Sequence, residues 1–209
     1  MIRSYIHRCQ KDGVKIVMNC EVTPELIKEE KPDSVIIATG SKTLILPIEG
    51  IDNPAIIHGS DLLDGKRPAG KKVLVVGGGM VGCETAAFLG EQEHDVTVIE
   101  FRDTVGADVI HEHRVYLMKD FEDYGIKEIT GAKVCKFYED GVEYETADGV
   151  RHETRGYDSV ILSMGFRNYN PLEEKIKDLV PETHVIGDAI RARRALDATK
   201  EAYEVASRL

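Results

Sequence analysis

A glycine-rich segment between two apolar runs constrains this chain more than any other feature. Val73–Val76 leads directly into Gly77–Gly82, whose glycines have the spacing G-x-G-x-x-G. A helix-compatible stretch then reaches a second apolar run, Val96–Ile99, and the acid Glu100 follows that run. Glycines at this spacing are common by chance, but here they stand between a strand and a helix, as the motif requires. The segment therefore predicts a βαβ unit with two parallel strands.

The glycines of this unit meet separate requirements of a bound pyrophosphate. Gly77 permits a tight turn after the strand, and Gly79 lets the backbone approach the phosphates. Gly82 lets the helix pack closely on the sheet. The first amides of the helix, with the positive end of its dipole, attract the anion. The sequence therefore predicts a nucleotide site at this turn.

Glu100 stands where the second strand should end, and an acid at that place can accept both ribose hydroxyls of a dinucleotide. A 2′-phosphate would meet the same carboxylate as a like charge, which costs several kcal/mol. NADH is therefore favoured over NADPH. Arg102 leaves an alternative open, since its guanidinium could turn toward a phosphate or remain a solvated surface group.

Size, charge and cysteines limit the class of protein. A chain of 209 residues suits one large domain, or one complete domain with part of another. Its formal net charge of −10 argues against nucleic acid or an anionic membrane as a partner. Cys9, Cys20, Cys83 and Cys135 are scattered without C-x-x-C spacing, which is typical of reduced thiols and predicts no metal site. No apolar run approaches the length of a membrane span, so we expect a cytoplasmic protein.

The segment after the βαβ unit has the sequence pattern of antiparallel strands. Asp140-Gly141 and Asp148-Gly149 are turn pairs typical of hairpins, and the residues around them alternate. We therefore predict a three-stranded antiparallel meander over residues 132–155. The apolar run Ser159–Leu162 then returns to the parallel sheet.

Strand-like runs also occur on both sides of this inner region. Ser34–Ala38 is typical of a buried parallel strand, and His184–Ile186 precedes Gly187-Asp188 in the same way. We predict a further strand at Val14–Met18, then a connection through Pro24–Glu30. A helix should follow Asp188 to the C-terminus, with a small apolar face.

Glycines and prolines between Leu44 and Gly70 indicate a domain boundary. The predicted fold class is α/β: a Rossmann-like parallel sheet with the antiparallel meander, inserted in a partial second nucleotide-binding domain. The predicted divisions are 1–65, 66–166 and 167–209, with the first and last parts forming the partial domain.

Four signatures together carry a family resemblance: Ala38-Thr39-Gly40, the unit from Gly77 to Glu100, the meander, and Val185–Ala189. They resemble flavoproteins in which an NAD(P)H domain interrupts an FAD domain. More closely, Gly77–Ala86 is similar to the C-terminal part of NADH:flavin oxidoreductases of the Old Yellow Enzyme-like group. That group includes 2,4-dienoyl-CoA reductase, 2-enoate reductase and trimethylamine dehydrogenase. The resemblance covers essentially the whole chain and implies NAD(H) and FAD as cofactors of the complete protein.

The resemblance also implies roles for single residues at the NADH site. The pyrophosphate of NADH would be lined by Gly77, Gly78, Gly79, Met80, Val81 and Gly82. Glu100 would bind the adenosine ribose. Glu84 would face the nicotinamide and flavin rings, although a carboxylate there could equally stabilise the helix N-terminus. Gly165 would let the nicotinamide approach the backbone, or it is a plain turn glycine.

A second set of residues is implied for the flavin. Gly187 and Asp188 would meet the ribityl or pyrophosphate region of FAD, although an isolated aspartate here is also a good helix N-cap. Thr39 and Gly40 would close over the flavin, or they only end a strand.

Members of that group are expected to carry an N-terminal barrel with FMN and an iron–sulfur cluster. Neither the barrel nor its cysteine cluster is present in this sequence, and the first glycine-rich turn of the FAD domain is expected before Ile2. The resemblance therefore implies a part of a flavin-dependent oxidoreductase whose partner is the barrel domain of the same protein, with a homo-oligomer as a further partner left open. The FAD site would be incomplete here.

Other functions have weaker support. The competing hypothesis is a non-catalytic dinucleotide-binding module, which the missing flavin turn favours. A stand-alone short-chain dehydrogenase would need Tyr-x-x-x-Lys, and Lys119 follows Tyr116 one residue too early. His111 and His113 diverge on a helix and cannot chelate one metal ion. Hydride transfer needs no acid or base, so no catalytic side chain is predicted.

Overall fold

The computed structural model describes residues 2–209. In chain order the helices are α1 Ile2–Lys11, α2 Pro24–Glu30, α3 Gly59–Leu63, α4 Met80–Glu91, α5 His111–Asp123, α6 Glu173–Ile176 and α7 Ala195–Ala206. The strands are β1 Ser34–Ile37, β2 Ser41–Thr43, β3 Ile57–His58, β4 Lys72–Val76, β5 Asp95–Ile99, β6 Lys127–Ile129, β7 Lys133–Tyr138, β8 Gly141–Glu145, β9 Arg151–Thr154, β10 Ser159–Leu162, β11 Phe166–Asn168 and β12 Glu182–Val185.

The chain folds as two compact units. The inner unit is Lys42–Arg167, and the outer unit combines the chain up to Ser41 with the chain from Asn168. This is the predicted insertion of one unit in another. The second division lies beside the predicted one, but the first lies well before residue 66. The difference arises because β3 pairs with β10 and so brings the glycine- and proline-rich segment into the inner sheet.

A five-stranded parallel sheet forms the centre of the inner unit, in the order β3-β10-β4-β5-β6. On its central strand, Val73 and Val75 pack in a core with α4 and α5, while Leu74 and Val76 pack in a second core with the meander. Both faces of β4 are therefore buried, which explains why its four residues 73–76 are all apolar and do not alternate with polar ones. Burying each such side chain contributes about 1.5–3 kcal/mol.

The predicted meander is confirmed. Strands β7, β8 and β9 form a three-stranded antiparallel sheet in sequence order. Tyr138 pairs with Gly141 across the first hairpin, so its two-residue turn is Glu139-Asp140. The turn pair predicted at Asp140-Gly141 is one residue too late, because Gly141 is the first residue of β8. The α/β fold class with a Rossmann-like parallel sheet is likewise confirmed.

The outer unit contains one parallel strand pair, β1 with β12. Its core consists of buried apolar side chains on both sides of the insertion, namely Ile27, Ile37, Leu172, Ile176 and Val180. The parallel strand predicted at Ser34–Ala38 is confirmed as Ser34–Ile37, but only Ile37 of that strand is buried. The connection predicted at Pro24–Glu30 is wrong, because Thr23 caps α2: its hydroxyl oxygen accepts a hydrogen bond from Leu26 N at 3.3 Å.

Two further features of the outer unit depart from expectation. Val14–Met18 forms no strand, since these residues are exposed and have no neighbouring strand in the described chain. Neither α1 nor α7 has a buried residue, and Leu196 on the predicted apolar face of α7 is 70% exposed.

Among residues 2–209, no helix combines the length and apolar character that crossing a membrane requires.

Candidate dinucleotide-binding site

The turn between β4 and α4 can accommodate only glycine at its first position. Gly77 has φ +106°, and a Cβ there would lie 2.4 Å from the carbonyl oxygen of Ser163 at the end of β10. The Gly77 amide donates to the carbonyl of Ile99 at 2.9 Å, so the turn is held between two strands. The chain therefore leaves β4 with its backbone pressed against its neighbours, as the motif requires.

Helix α4 approaches this turn just as closely. A Cβ on Gly82 would stand 1.8 Å from the carbonyl oxygen of Gly77. Behind this contact the helix buries Cys83, and burial raises the pKa of that thiol to about 12. Cys83 donates its thiol hydrogen to the carbonyl of Gly78 at 3.3 Å, so it is a structural residue and not a thiolate nucleophile.

The carboxylate of Glu100 lies directly on the glycine turn. One oxygen accepts the amide of Gly78 at 2.6 Å, and the other accepts the amide of Arg102 at 2.9 Å. An ionised carboxylate offers about four lone-pair positions, so two hydrogen bonds leave room for ribose hydroxyls. The acid at the end of β5 is thus directed toward the turn and is already fixed in place.

A second carboxylate, which the sequence analysis missed, lies on the same turn. The amide of Met80, the first residue of α4, donates to Asp108 Oδ1 at 2.9 Å. A Cβ on Gly79 would lie 3.2 Å from Asp108 Oδ2, so both oxygens of the carboxylate stand over the start of the helix. No spacing rule identifies Asp108 in the sequence; only the attraction of a helix N-terminus for anions could have suggested it.

Glu84 points to α5 in this structure. Its Oε1 lies 3.4 Å from His113 Nε2, and the two side chains are about half exposed. A pair this exposed contributes little to stability. His113 thereby acquires a neighbour on α4, while the nicotinamide role of Glu84 stays a prediction.

The carboxyl end of β10 holds a buried hydroxyl that the sequence analysis also missed. Ser163 is 7% exposed, and its Oγ has no hydrogen-bond partner within residues 2–209. Beside it, Gly165 has φ +94°, and its carbonyl accepts the amide of Leu44 at 2.9 Å. A small cavity of about 10 Å³ lies here, with Ser60, Val81, Ser163 and Gly165 in its lining. That volume holds one water molecule at most.

We expect Ser163→Ala to raise the free energy of unfolding by about 1 kcal/mol, because a buried hydroxyl without a partner costs about 1–3 kcal/mol. Urea denaturation measures the change. Ser159→Ala on the same strand is the matched control, since Ser159 Oγ accepts the amide of Gly70 at 2.9 Å and its loss should be destabilising. Equal destabilisation by both variants would contradict the assignment of Ser163 as unpaired.

In the outer unit, the predicted flavin residues hold the ends of β1 and β12 in place. Asp188 accepts the hydroxyl of Ser41 at 3.2 Å and the amide of Arg193 at 3.0 Å. The Thr39 hydroxyl donates to the carbonyl of Tyr169, and the amide of Tyr169 donates to the carbonyl of Gly40 at 3.0 Å. Asp188 and Thr39 therefore already have partners within their own unit.

Gly187 is fixed by an acid from α7. Its amide donates to Glu201 Oε2 at 2.7 Å, while Glu201 Oε1 pairs with the guanidinium of Arg193. Arg193 and the Gly187 amide hold the pKa of Glu201 below its ordinary value. The Gly187-Asp188 segment is thus an ordered turn between β12 and α7.

The sequence model of the pyridine nucleotide-disulphide oxidoreductases matches residues 3–186. The chain belongs to this family. Among family relatives, it is 30% identical to cinnamate reductase of Clostridium sporogenes over 94% of its length, and 32% identical to NADH oxidase of Thermoanaerobacter brockii over 93%. It spans only 30% of the length of each of these two proteins.

A solved structure of 2-naphthoyl-CoA reductase with 2-naphthoyl-CoA covers the whole chain, with a TM-score of 0.90 and 31% identity. The chain corresponds to 32% of that protein. The resemblance to flavin-dependent reductases of this group, predicted from four sequence signatures, is therefore confirmed. The relatives are oxidoreductases that are about three times as long as this family member.

Proposed function

We propose that the chain is the NAD(H)-binding portion of a flavin-dependent oxidoreductase and positions NADH for hydride transfer to a flavin. The observation that carries the proposal is the turn from Gly77 to Gly82, where a side chain at Gly77 or Gly82 would clash with backbone and where the Glu100 carboxylate accepts the Gly78 amide. Membership of the pyridine nucleotide-disulphide oxidoreductase family supports the same function.

The residues at the turn fit a dinucleotide. The amides at positions 79–81 would bind the pyrophosphate, together with Gly77, Gly78 and Gly82 as the backbone that surrounds it. One contact supports this fit to an anion: the amide of Met80 already donates to a carboxylate oxygen of Asp108. Glu100 would accept the adenosine ribose hydroxyls with its remaining lone pairs.

The nicotinamide half would extend toward the carboxyl end of β10, where Gly165 and the cavity beside Ser163 lie. When bound, the reduced nicotinamide supplies a hydride from C4. Side chains of this chain need transfer no proton in that step; they hold the ring in one orientation and keep water away from it. The Glu84 side chain would move away from His113 and approach the nicotinamide ring.

Other parts of a longer protein would complete the flavin site. Thr39, Gly40, Gly187 and Asp188 supply an ordered edge for a flavin, but residues 2–41 and 168–209 contain no second glycine-rich strand–turn–helix for its pyrophosphate. We propose that this part and the FMN and iron–sulfur barrel belong to the same, longer protein, as the 30% coverage of the reductases suggests. The four separate cysteines are consistent with a cytoplasmic location.

A second candidate is a dinucleotide-binding module without catalysis, which is favoured by Thr39 and Asp188 because both side chains are already bonded within their own unit. Visible absorption of the purified chain separates the two. A yellow protein with flavin bands supports the oxidoreductase, and a colourless protein that still binds NADH supports the module.

We expect one NADH to bind per chain with a dissociation constant below about 1 mM, since most of the pyrophosphate and ribose contacts are preformed. Isothermal titration of the folded chain measures the affinity, and thermal unfolding with and without NADH gives an independent measure. An absence of both heat and thermal stabilisation at about 5 mM NADH would reject the proposed function, because an excess of at least about fivefold over that constant must stabilise the fold.

A further inference from the structure

An acidic side chain lies where a bound pyrophosphate should lie. Both oxygens of Asp108 stand over Gly79 and Met80, and Oδ1 accepts the Met80 amide at 2.9 Å. Position 80 begins α4, where the helix dipole favours a negative charge. A carboxylate of the chain itself thus occupies the N-terminus of α4, the position that would attract a phosphate.

Asp108 comes from a different part of the chain from the helix it contacts. The N-cap of α4 is Gly79, which has no side chain to cap the helix. Asp108 lies in the loop after β5, and this loop is fixed by two buried valines, Val105 and Val109. The Gly106 amide donates to the carbonyl of Gly78 at 2.7 Å and ties the loop to the turn. The loop is anchored, while the Asp108 side chain is exposed and can turn away.

We propose that Asp108 is an internal competitor of the diphosphate and thereby sets the affinity of the site for NADH. This inference rests on the proposed NADH site. The carboxylate and a phosphate oxygen require the same amide, and their like charges repel each other. Binding of NADH therefore requires Asp108 to leave Met80, whereas binding of adenosine without phosphates does not.

The proposed role of Asp108 is to set the affinity for NADH and not to fold the glycine turn. Removal of the charge should weaken the interaction of residue 108 with the helix dipole, so the unbound chain becomes less stable. The same change should tighten the binding of diphosphates. A purely structural aspartate would give the first effect without the second, and this opposition distinguishes the two roles.

The test compares Asp108→Asn with Asp103→Asn, a matched control that removes the same charge from another exposed aspartate of the loop. Isothermal titration with NADH, ADP and adenosine is combined with thermal unfolding. We expect Asp108→Asn to tighten NADH and ADP binding about tenfold, equivalent to about 1.4 kcal/mol, and to leave adenosine binding unchanged. Its melting temperature should fall by a few degrees. The control should change every dissociation constant less than about twofold, because solvent and salt screen the charge of an exposed side chain that makes no contact with the Met80 amide.

Equal NADH affinity in wild type and Asp108→Asn would overturn this inference while the NADH site itself stands. Equal tightening by both variants would also overturn it, since the effect would then be one of net charge. If neither variant nor wild type binds NADH, both the inference and the proposed function are rejected. Asp108→Ala, which also removes the hydrogen-bond acceptor, should tighten NADH and ADP in the same direction, and unchanged or weaker binding would contradict the competition.

Discussion

Gly82→Ala is expected to lower the free energy of unfolding by about 3 kcal/mol, the upper end for overpacked sites, and to abolish NADH binding. The added methyl group would stand 1.8 Å from the carbonyl oxygen of Gly77, which is backbone and cannot turn aside. Relief of this clash requires α4 to move off the turn. That movement would displace the Met80 amide and the other amides proposed to bind the pyrophosphate.

Gly79→Ala is the matched control for stability, three residues earlier. Its new methyl group would meet only the Asp108 carboxylate at 3.2 Å, and that exposed side chain can rotate away. We therefore expect the free energy of unfolding of the control to lie within about 1 kcal/mol of wild type, because no backbone clash has to be relieved. Urea denaturation followed by circular dichroism gives both values. A Gly82→Ala variant that is as stable as Gly79→Ala would show that the close approach of helix and turn is wrong.

The βαβ unit was predictable because its constraints are local. Four consecutive apolar residues, a turn that admits only glycine and an acid at the next strand end each limit the backbone within a few positions. Both faces of β4 are buried, so the continuous apolar run followed directly from the sheet being parallel. The meander was predictable for the same reason, since turn pairs are local signals. Only Asp148-Gly149 lies within its turn, whereas the first turn is Glu139-Asp140 and Gly141 already belongs to β8.

Features that depend on distant parts of the chain were missed. The position of Asp108 depends on how Val105 and Val109 anchor a loop in the core, which no pattern near Gly79 reveals. The unpaired hydroxyl of Ser163 depends on what packs around the end of β10. Conversely, Val14–Met18 has the composition of a strand, but a strand also needs a partner, and the described chain provides none.

Glu100→Lys is expected to lower the preference for NADH over NADPH by about a hundredfold, equivalent to about 2.7 kcal/mol. The wild-type carboxylate lies on the Gly78 amide, next to the proposed ribose position, where a 2′-phosphate would meet a like charge. A lysine there would attract that phosphate instead. The substitution also removes the bonds to Gly78 and Arg102, so NADH should bind more weakly. The measured quantity is therefore the ratio of the two dissociation constants.

Two companion variants separate local from general effects of charge. Glu100→Gln keeps the shape of the side chain and removes only its charge, so it should shift the ratio about tenfold, roughly half of the free-energy change. Asp103→Lys makes the same change of charge elsewhere in the loop and should leave the ratio within about twofold, because solvent and salt screen an exposed group. If Asp103→Lys shifts the ratio as far as Glu100→Lys, the preference arises from the net field of the protein. In that case Glu100 serves to hold the Gly78 amide and does not distinguish the two cofactors.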